Sequence, residues 1–277
     1  MEKQFQWNNS IINYTEFGTG KETLICFHGY GQNCTVFSVF EKTLGKVYRV
    51  ISMDLPFQGK TIWKEKGQLT EDLMSDLMLQ FLSHLNVNSK VSLLGYSIGG
   101  NYALGFLSHF PEMMNEVWLL AADGLQRKPA FYFLTKTNLG RAIFRAFVLY
   151  PGWVFSTVKL AEKIGFLKYN AMRFYISTID TKKKRNDLFL RWSSTARIAP
   201  GAKKSINTLN KHQIPSYLIY GKKDSVISFK NAKRFEQKTD NSTLVLLEKG
   251  HQILVDGTND TLEALLNKRK RNLNQKA

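Results

Sequence analysis

The stretch 92–105, SLLGYSIGGNYALG, places Ser97 between Gly95 and Gly99. The apolar run before this serine predicts a buried strand, and the pattern after it predicts a helix. A G-x-S-x-G pentapeptide in that setting is typical of a nucleophile elbow, a strained turn that exposes a serine hydroxyl. Side chains larger than hydrogen at positions 95 and 99 would collide with the strand and the helix. The pentapeptide also arises by chance in roughly one in ten chains of this size, so a structural turn serine stays the alternative until partners are found.

A serine hydroxyl is a weak nucleophile unless a base accepts its proton. Of the five histidines, His251 directly follows the last apolar run and lies on a turn. The carboxyl edge of a parallel sheet would bring such a turn close to Ser97. Asp224 follows a strand pattern in YGKKD and is the predicted acid that orients the imidazole. Asp123 follows an earlier strand pattern and is the alternative acid. The chain order serine, aspartate, histidine is that of one known triad arrangement.

Acyl transfer also needs donors for the oxyanion that develops on the reacting carbonyl. The backbone amide of Ile98, directly after the serine, is one predicted donor. The loop His28-Gly-Tyr-Gly offers a second donor at the amide of Tyr30. Gly29 and its neighbour at position 31 let this backbone approach a substrate. His28 is predicted to brace the loop rather than to react.

Short apolar runs alternate with helical patterns along most of the chain. The runs that predict strands lie at 11–18, 23–29, 46–56, 90–97, 117–123, 216–221 and 242–248. This alternation is typical of a mostly parallel sheet with helices on both faces. Residues 126–213 hold no strand pattern and read as helical. We therefore predict an α/β core formed by 1–125 and 214–277, with 126–213 as an inserted helical cap.

The formal net charge is +17, and most of it lies in the insert. Residues 126–213 carry 18 Lys or Arg against 3 Asp or Glu, together with 14 aromatic residues. Within the insert, Lys182–Arg185 is predicted to be an exposed loop. Three interpretations stay open for this charge: a solvated surface, attraction to an anionic membrane surface, or steering of an anionic substrate. Nucleic-acid binding is not expected, because no binding motif accompanies the charge.

Several classes of protein are excluded by composition. The chain has no run of about 18 apolar residues and no apolar signal region near its start, which predicts a cytoplasmic protein, with a peripheral membrane location left open. Its two cysteines do not form a disulfide framework, and Cys26 is predicted to be a buried core residue. No cluster has metal-ligand spacing and no glycine-rich loop carries a P-loop lysine, so no metal and no cofactor is expected.

The chain resembles the α/β-hydrolase superfamily in five elements that fall in the family's order. They are FHGYG (27–31), MDLPFQGKT (53–61), GYSIGG (95–100), YGKKD (220–224) and EKGHQ (248–252). The resemblance implies an α/β-hydrolase fold, with a mostly parallel eight-stranded sheet and an inserted helical cap. It implies Ser97 as nucleophile, His251 as base and Asp224 as acid, with the amides of Tyr30 and Ile98 as oxyanion donors.

Two positions depart from the family's pattern. The family often has a Gly-His-Gly-x-Ser run where this chain has Phe57-Gln-Gly-Lys-Thr, which we interpret as structural. Gln252 follows the predicted base, where a hydrophobic residue is common. The serine argues against the relatives that use an aspartate nucleophile, the haloalkane dehalogenases and epoxide hydrolases.

The expected function is a serine esterase that hydrolyses a small-molecule carboxylic ester, thioester or lipid. One alternative is a lyase or acyl transferase that uses the same triad on an anionic substrate. Another is a catalytically idle fold that serves as a membrane-surface or protein-binding module.

Overall fold

The computed structural model describes residues 2–65, 69–126, 129–156 and 179–274. It divides into two compact units, Met1–Arg127 with Ile198–Ala277, and Lys128–Arg197. The described part of the first unit holds eight strands. These are β1 (Glu2–Trp7), β2 (Ser10–Phe17), β3 (Glu22–Phe27), β4 (Tyr48–Met53), β5 (Val91–Tyr96), β6 (Met114–Leu120), β7 (Ser216–Gly221) and β8 (Ser242–Leu247).

All eight strands form one sheet in the order β1-β2-β4-β3-β5-β6-β7-β8. β1 and β2 pair antiparallel, as do β2 and β4, and every other neighbouring pair is parallel. The predicted mostly parallel eight-stranded sheet is therefore confirmed. β1 is the strand that the apolar runs do not reveal, because only Phe5 and Trp7 of its six residues are buried.

The central strands are mostly apolar and mostly buried, and every residue of β5 is buried, because both faces of the sheet are covered. In β3, Ile25 and Phe27 belong to one hydrophobic cluster, whereas Leu24 and Cys26 belong to the cluster on the other face. The two-residue period of a strand produces this division. Cys26 is fully buried, as predicted, and burial raises the pKa of its thiol well above the ordinary value.

Helices of the first unit cover the sheet, and several of the described helices begin at a residue whose side chain accepts from a backbone amide. The α-helices of the described residues are α1 (Glu41–Leu44), α2 (Glu71–His84), α3 (Gly99–His109), α4 (Pro129–Lys136), α5 (Asn138–Leu149), α6 (Lys182–Ile198), α7 (Ala202–His212), α8 (Phe229–Glu236) and α9 (Asn259–Asn274). The Thr70 side chain caps α2 by accepting from the amide of Leu73 at 3.2 Å. A 3₁₀ helix, Cys34–Phe40, precedes α1, and the Asn33 side chain caps it by accepting from the amide of Thr35 at 3.0 Å. None of the described helices has the length and apolar character needed to cross a membrane.

The second compact unit ends earlier than the predicted insert. It spans Lys128–Arg197, so α7 falls in the first unit, where Leu209 is buried in the sheet's hydrophobic cluster. Of the predicted insert, residues 127–128 and 157–178 lie outside the described residues. The described part of the second unit packs around Phe144, Phe147 and Phe189.

The prediction of an exposed loop at Lys182–Arg185 is wrong. These residues form the first turn of α6, with three exposed lysines followed by a buried arginine. The guanidinium of Arg185 donates to the carbonyls of Val148, Ile179 and Asp180 at 2.9–3.0 Å. Those carbonyls provide hydrogen-bond acceptors for the buried guanidinium. The run of four basic residues in the sequence does not indicate that one of them is buried.

A buried charged network closes the edge of the sheet where the parallel strands begin. Glu116, near the start of β6, accepts from Arg269 Nε of α9 at 2.6 Å and from Trp118 Nε1 at 3.1 Å. The Tyr48 hydroxyl also donates to Glu116, and Arg269 donates to Glu22. Burial raises the pKa of Tyr48 well above its usual range. The network ties α9 to three strands of the sheet at the edge opposite Ser97.

Candidate active site

Ser97 lies in the turn between β5 and α3, with its backbone at φ 52°. Its carbonyl accepts from the amides of Gly100 at 3.0 Å and Asp123 at 2.7 Å, and its own amide donates to Leu120 at 3.1 Å. These bonds hold a left-handed conformation that a non-glycine residue rarely adopts. The turn therefore has the strained geometry of a nucleophile elbow.

The two glycines that flank Ser97 are required by close backbone approaches. A Cβ on Gly99 would lie 2.0 Å from the carbonyl oxygen of Phe27. A Cβ on Gly95 would lie 2.6 Å from the Cα of Gly100. Both contacts are with backbone that cannot move aside, so the turn excludes any side chain at these positions.

His251 connects Ser97 to Asp224. Its Nε2 lies 3.0 Å from Ser97 Oγ, and its Nδ1 lies 2.8 Å from Asp224 Oδ2. The Asp224 side chain is fully buried, whereas that of His251 is 17% exposed. Nδ1 therefore donates to the carboxylate, which leaves Nε2 free to accept the serine proton.

Two backbone amides hold the carboxylate oxygen of Asp224 that does not contact His251. Oδ1 accepts from the amides of Val226 at 2.7 Å and Ile227 at 2.8 Å, directly after β7. Asp123, the alternative acid, instead uses its Oδ1 to accept from the following amide of Gly124 at 2.9 Å. The structure thus places Asp224, and not Asp123, against the imidazole.

Tyr96 holds the other side of the imidazole. Its ring stacks on that of His251 with centroids 5.5 Å apart, and its hydroxyl donates to the His251 carbonyl at 3.1 Å. Burial, followed by the charge of Asp224, raises the pKa of Tyr96 to about 12. The Gln252 side chain is exposed and also accepts from this hydroxyl, at 3.4 Å. The polar residue after the histidine therefore supports Tyr96.

The loop after β3 packs directly against the elbow. β3 and β5 are parallel neighbours with Phe27 paired to Gly95, so residues 28–31 and 97–98 follow adjacent strand ends. His28 is fully buried. Its Nε2 accepts from the amide of Leu55 at 3.1 Å, so the ring is neutral and Nδ1 donates to the Gly29 carbonyl at 2.7 Å. His28 therefore braces this loop.

Two glutamines hold the amides on either side of Tyr30. Gln32 Oε1 accepts from the amide of Gly29 at 3.0 Å, and Gln58 Oε1 accepts from the amide of Gly31 at 2.8 Å. Gln58 is 3% exposed, and the backbone of Phe57 before it adopts φ 66°. The run at 57–61 therefore acts on the predicted oxyanion loop, a role that the sequence pattern did not reveal.

The two predicted oxyanion donors lie at these adjoining strand ends. Ile98 is the N-cap residue of α3, where the first amides of a helix have no carbonyl partner within the helix. The helix dipole adds positive potential at the same place. Tyr30 lies at the centre of the loop that His28, Gln32 and Gln58 fix. The arrangement can hold an anionic oxygen beside Ser97.

Metal chemistry has no evident ligand set within the described ranges, because no group of three or more His, Cys, Asp or Glu side chains could hold an ion there. The polar groups that converge near Ser97 are a base, an acid and backbone amides. Such groups suit nucleophilic attack on a carbonyl followed by proton transfer.

Known proteins share this sequence pattern and this fold. A family model described as alpha/beta hydrolase fold matches residues 22–258. A monoacylglycerol lipase of Bos taurus is 21% identical over 251 residues, which cover 89% of this chain and 74% of the relative. A 2-hydroxy-6-oxo-6-(2'-aminophenyl)hexa-2,4-dienoic acid hydrolase of Metapseudomonas resinovorans is 26% identical over 260 residues, which cover 91% and 85%.

A solved structure extends the likeness to the fold. A thermophilic esterase from Thermogutta terrifontis superposes with a TM-score of 0.67 at 17% identity, over 98% of each chain. At this identity the likeness concerns the fold alone, whereas the family model covers most of the chain. The chain therefore belongs to the alpha/beta hydrolase fold family, and its activity is that of a hydrolase.

Proposed function

We propose that this hydrolase cleaves carboxylic esters or thioesters through an acyl-enzyme on Ser97. One observation carries the proposal, namely the continuous chain of hydrogen bonds from Ser97 Oγ through His251 to Asp224, at 3.0 Å and 2.8 Å. A serine that reacts as a nucleophile needs this geometry, and a serine that only shapes a turn does not.

Acylation begins when Ser97 Oγ attacks the substrate carbonyl carbon and His251 Nε2 takes the hydroxyl proton. The carbonyl oxygen becomes an oxyanion that accepts hydrogen bonds from the amides of Ile98 and Tyr30. Asp224 stabilises the imidazolium that forms. His251 then passes its proton to the departing alcohol or thiol, the bond to that group breaks, and the acyl group remains on Ser97.

Deacylation repeats these steps with water as the nucleophile. His251 takes a proton from water, which attacks the acyl carbon, and a second oxyanion forms in the same place. Its collapse releases the carboxylic acid, and the proton on His251 returns to Ser97 Oγ. The cycle consumes one water and leaves the protein unchanged.

A lipid-like acyl group is the substrate class that we favour. Residues 126–213 hold 14 aromatic side chains, which suit contact with an acyl chain. A relative is named a monoacylglycerol lipase, which agrees with this choice. A series of p-nitrophenyl esters of increasing acyl length tests it, and we expect kcat/KM to rise from acetyl to medium-length chains.

Labelling with a fluorophosphonate probe tests the proposed nucleophile. We expect the wild type to be labelled and Ser97→Ala to remain unlabelled. Ser83→Ala, a change at an exposed serine of α2, is the matched control and should label like the wild type. Absence of labelling in the wild type would contradict the proposal and support the catalytically idle alternative.

Trapping the acyl-enzyme separates the proposal from the lyase and acyl transferase alternatives. Rapid quenching during p-nitrophenyl ester turnover should give a Ser97 peptide heavier by the acyl group, detected by mass spectrometry. A lyase would turn over its substrate without that adduct. An acyl transferase would form the adduct but pass the acyl group to an added alcohol or amine in preference to water.

A further inference from the structure

The solvent face of α5 in the second compact unit is apolar. Residues 144, 147 and 148 are buried, as expected for an amphipathic helix. On the opposite side, however, Leu139, Ala142, Ala146 and Leu149 are all exposed. At 100° per residue these four lie within an arc of about 80°, along about 15 Å of the helix. The helix therefore presents a second apolar stripe to solvent.

Two aromatic side chains that directly follow α5 are also exposed. Tyr150 is 73% exposed and Trp153 is 51% exposed. Tyrosine and tryptophan favour the boundary between water and lipid, because each has an apolar ring and a polar atom. We call Leu139, Leu149, Tyr150 and Trp153 the apolar surface of the second unit.

Lysines adjoin the apolar surface. Arg185 Nε donates to the carbonyl of Val148 at 3.0 Å, which ties the first turn of α6 to the last turn of α5. The exposed lysines 182–184 directly precede that arginine. Arg145 is also exposed and lies about 40° beyond Leu149 around α5. Basic groups therefore lie beside the apolar stripe at its Tyr150 end.

The charge of this region is almost entirely positive. Residues 129–156 and 179–197 contain nine Lys or Arg and two Asp, and 129–156 contain no acidic residue. Asp180 pairs with Lys184 at 3.0 Å, and Asp187 pairs with Arg191 at 3.9 Å. Each acidic side chain of these ranges is thus matched by a basic one, and the net charge of these ranges is positive.

We propose that the apolar surface and lysines 182–184 together dock the protein on an anionic lipid bilayer. Apolar and aromatic side chains enter the boundary between headgroups and acyl chains, while the lysines remain among the headgroups. Anionic headgroups supply the negative charge that attracts these exposed lysines. A surface that were merely solvated would not place two exposed leucines and a tryptophan beside the charge.

Vesicle co-sedimentation of the full chain tests this docking. We expect binding to phosphatidylcholine vesicles that contain phosphatidylglycerol, and much weaker binding to phosphatidylcholine alone. Raising the salt from about 0.1 M to 1 M should release the protein, because the Debye length falls from about 10 Å to 3 Å. Ser97→Ala should bind like the wild type, so failure of the proposed chemistry and failure of docking are distinguishable.

Paired variants distinguish an effect of the proposed docking surface from an effect of the protein's overall charge or hydrophobicity. Replacing Lys182 and Lys183 by serine should weaken binding roughly 25-fold, at about 1 kcal/mol for each lysine. The same change at Lys203 and Lys204, exposed on α7, is the charge-matched control and should have little effect.

Leu149→Ser should weaken binding about fivefold, since only part of its surface remains to be buried. Leu79→Ser on α2 is the matched control, because Leu79 is also exposed. Equal binding to neutral vesicles, insensitivity to salt, or equal losses in test and control variants would overturn the proposal. A dimer in solution that ignores vesicles would overturn it too and would assign the surface to a second copy.

Discussion

Replacing Gln58 by leucine removes the acceptor that holds the Gly31 amide while keeping a side chain of similar size. The hydrogen bond is 2.8 Å long and part-buried. Gln58 does not reach Ser97 through any hydrogen bond of the described residues, so its proposed effect passes through the loop that carries the Tyr30 amide. Gln58 is therefore a positioning residue. The change in kcat on substitution measures how strongly catalysis depends on a fixed position of the Tyr30 amide.

The expected magnitudes differ for stability and for rate. Leaving the Gly31 amide without its partner costs about 1–2 kcal/mol of folding free energy. For 277 residues that cost lowers Tm by about 2–4 °C. Complete loss of one oxyanion donor lowers kcat about 10²–10³-fold. Because Gln32 and His28 still hold the other side of the loop, we expect an intermediate loss of kcat, about 10–100-fold, with KM within threefold.

Steady-state hydrolysis of p-nitrophenyl acetate, together with thermal unfolding, measures both quantities. Gln80→Leu, a change on the exposed side of α2, is the matched control and should leave kcat unaltered. Gln58→Glu retains an acceptor for Gly31 but adds negative charge near the oxyanion, so its kcat should also fall while its Tm falls less. A Gln58→Leu variant that loses the predicted stability but keeps wild-type kcat would refute the reasoning.

Three further predictions concern the acid, the buried network and pH. Asp224→Asn should lower kcat about 10³–10⁴-fold in the same ester assay, whereas Asp123→Asn should change it less than threefold. Glu116→Gln should lower the free energy of unfolding in urea by about 3 kcal/mol and leave the kcat of the folded enzyme unchanged, because Arg269 then loses one of its two anionic partners among the described residues. Burial raises the pKa of Tyr217 to about 12, so the stability that this group contributes is complete below about pH 10, where the unfolded side chain is still neutral, and is lost as pH rises through its folded pKa. Urea titrations should therefore show constant stability from this group up to about pH 10 and declining stability from about pH 10 to pH 12, and a constant or rising value across that upper range would contradict this assignment.

Much of the fold could be predicted because its pattern is local. Strands buried on both faces read as unbroken apolar runs, and the structure contains a strand at each predicted run. The sequence did not predict β1, because this edge strand buries only alternate residues, Phe5 and Trp7. The predicted end of the insert, residue 213, was too late because α7 carries an ordinary amphipathic pattern. The tertiary packing of Leu209 is what assigns α7 to the first unit.

The candidate site divides in the same way. Ser97, Asp224 and His251 each follow a strand, so sequence order and sheet topology together bring them to one edge. Gln58 could not be recognised, because its contact with Gly31 depends on the left-handed backbone of Phe57. No propensity scale predicts such a conformation for phenylalanine, although the departure of this run from the family's pattern marked the position.

The buried network has a consequence for the order of events during synthesis. Arg269 follows Glu116 by 153 residues and Glu22 by 247 residues. A nascent chain that has emerged only through β6 would have to bury Glu116 without its cation, which is costly. The central sheet should therefore stay loosely assembled until α9 is available to supply Arg269. His251 likewise follows Ser97 by 154 residues, so the serine gains its base only after all eight described strands have been synthesised. Closure of the sheet and activation of its nucleophile are thereby delayed to nearly the same moment.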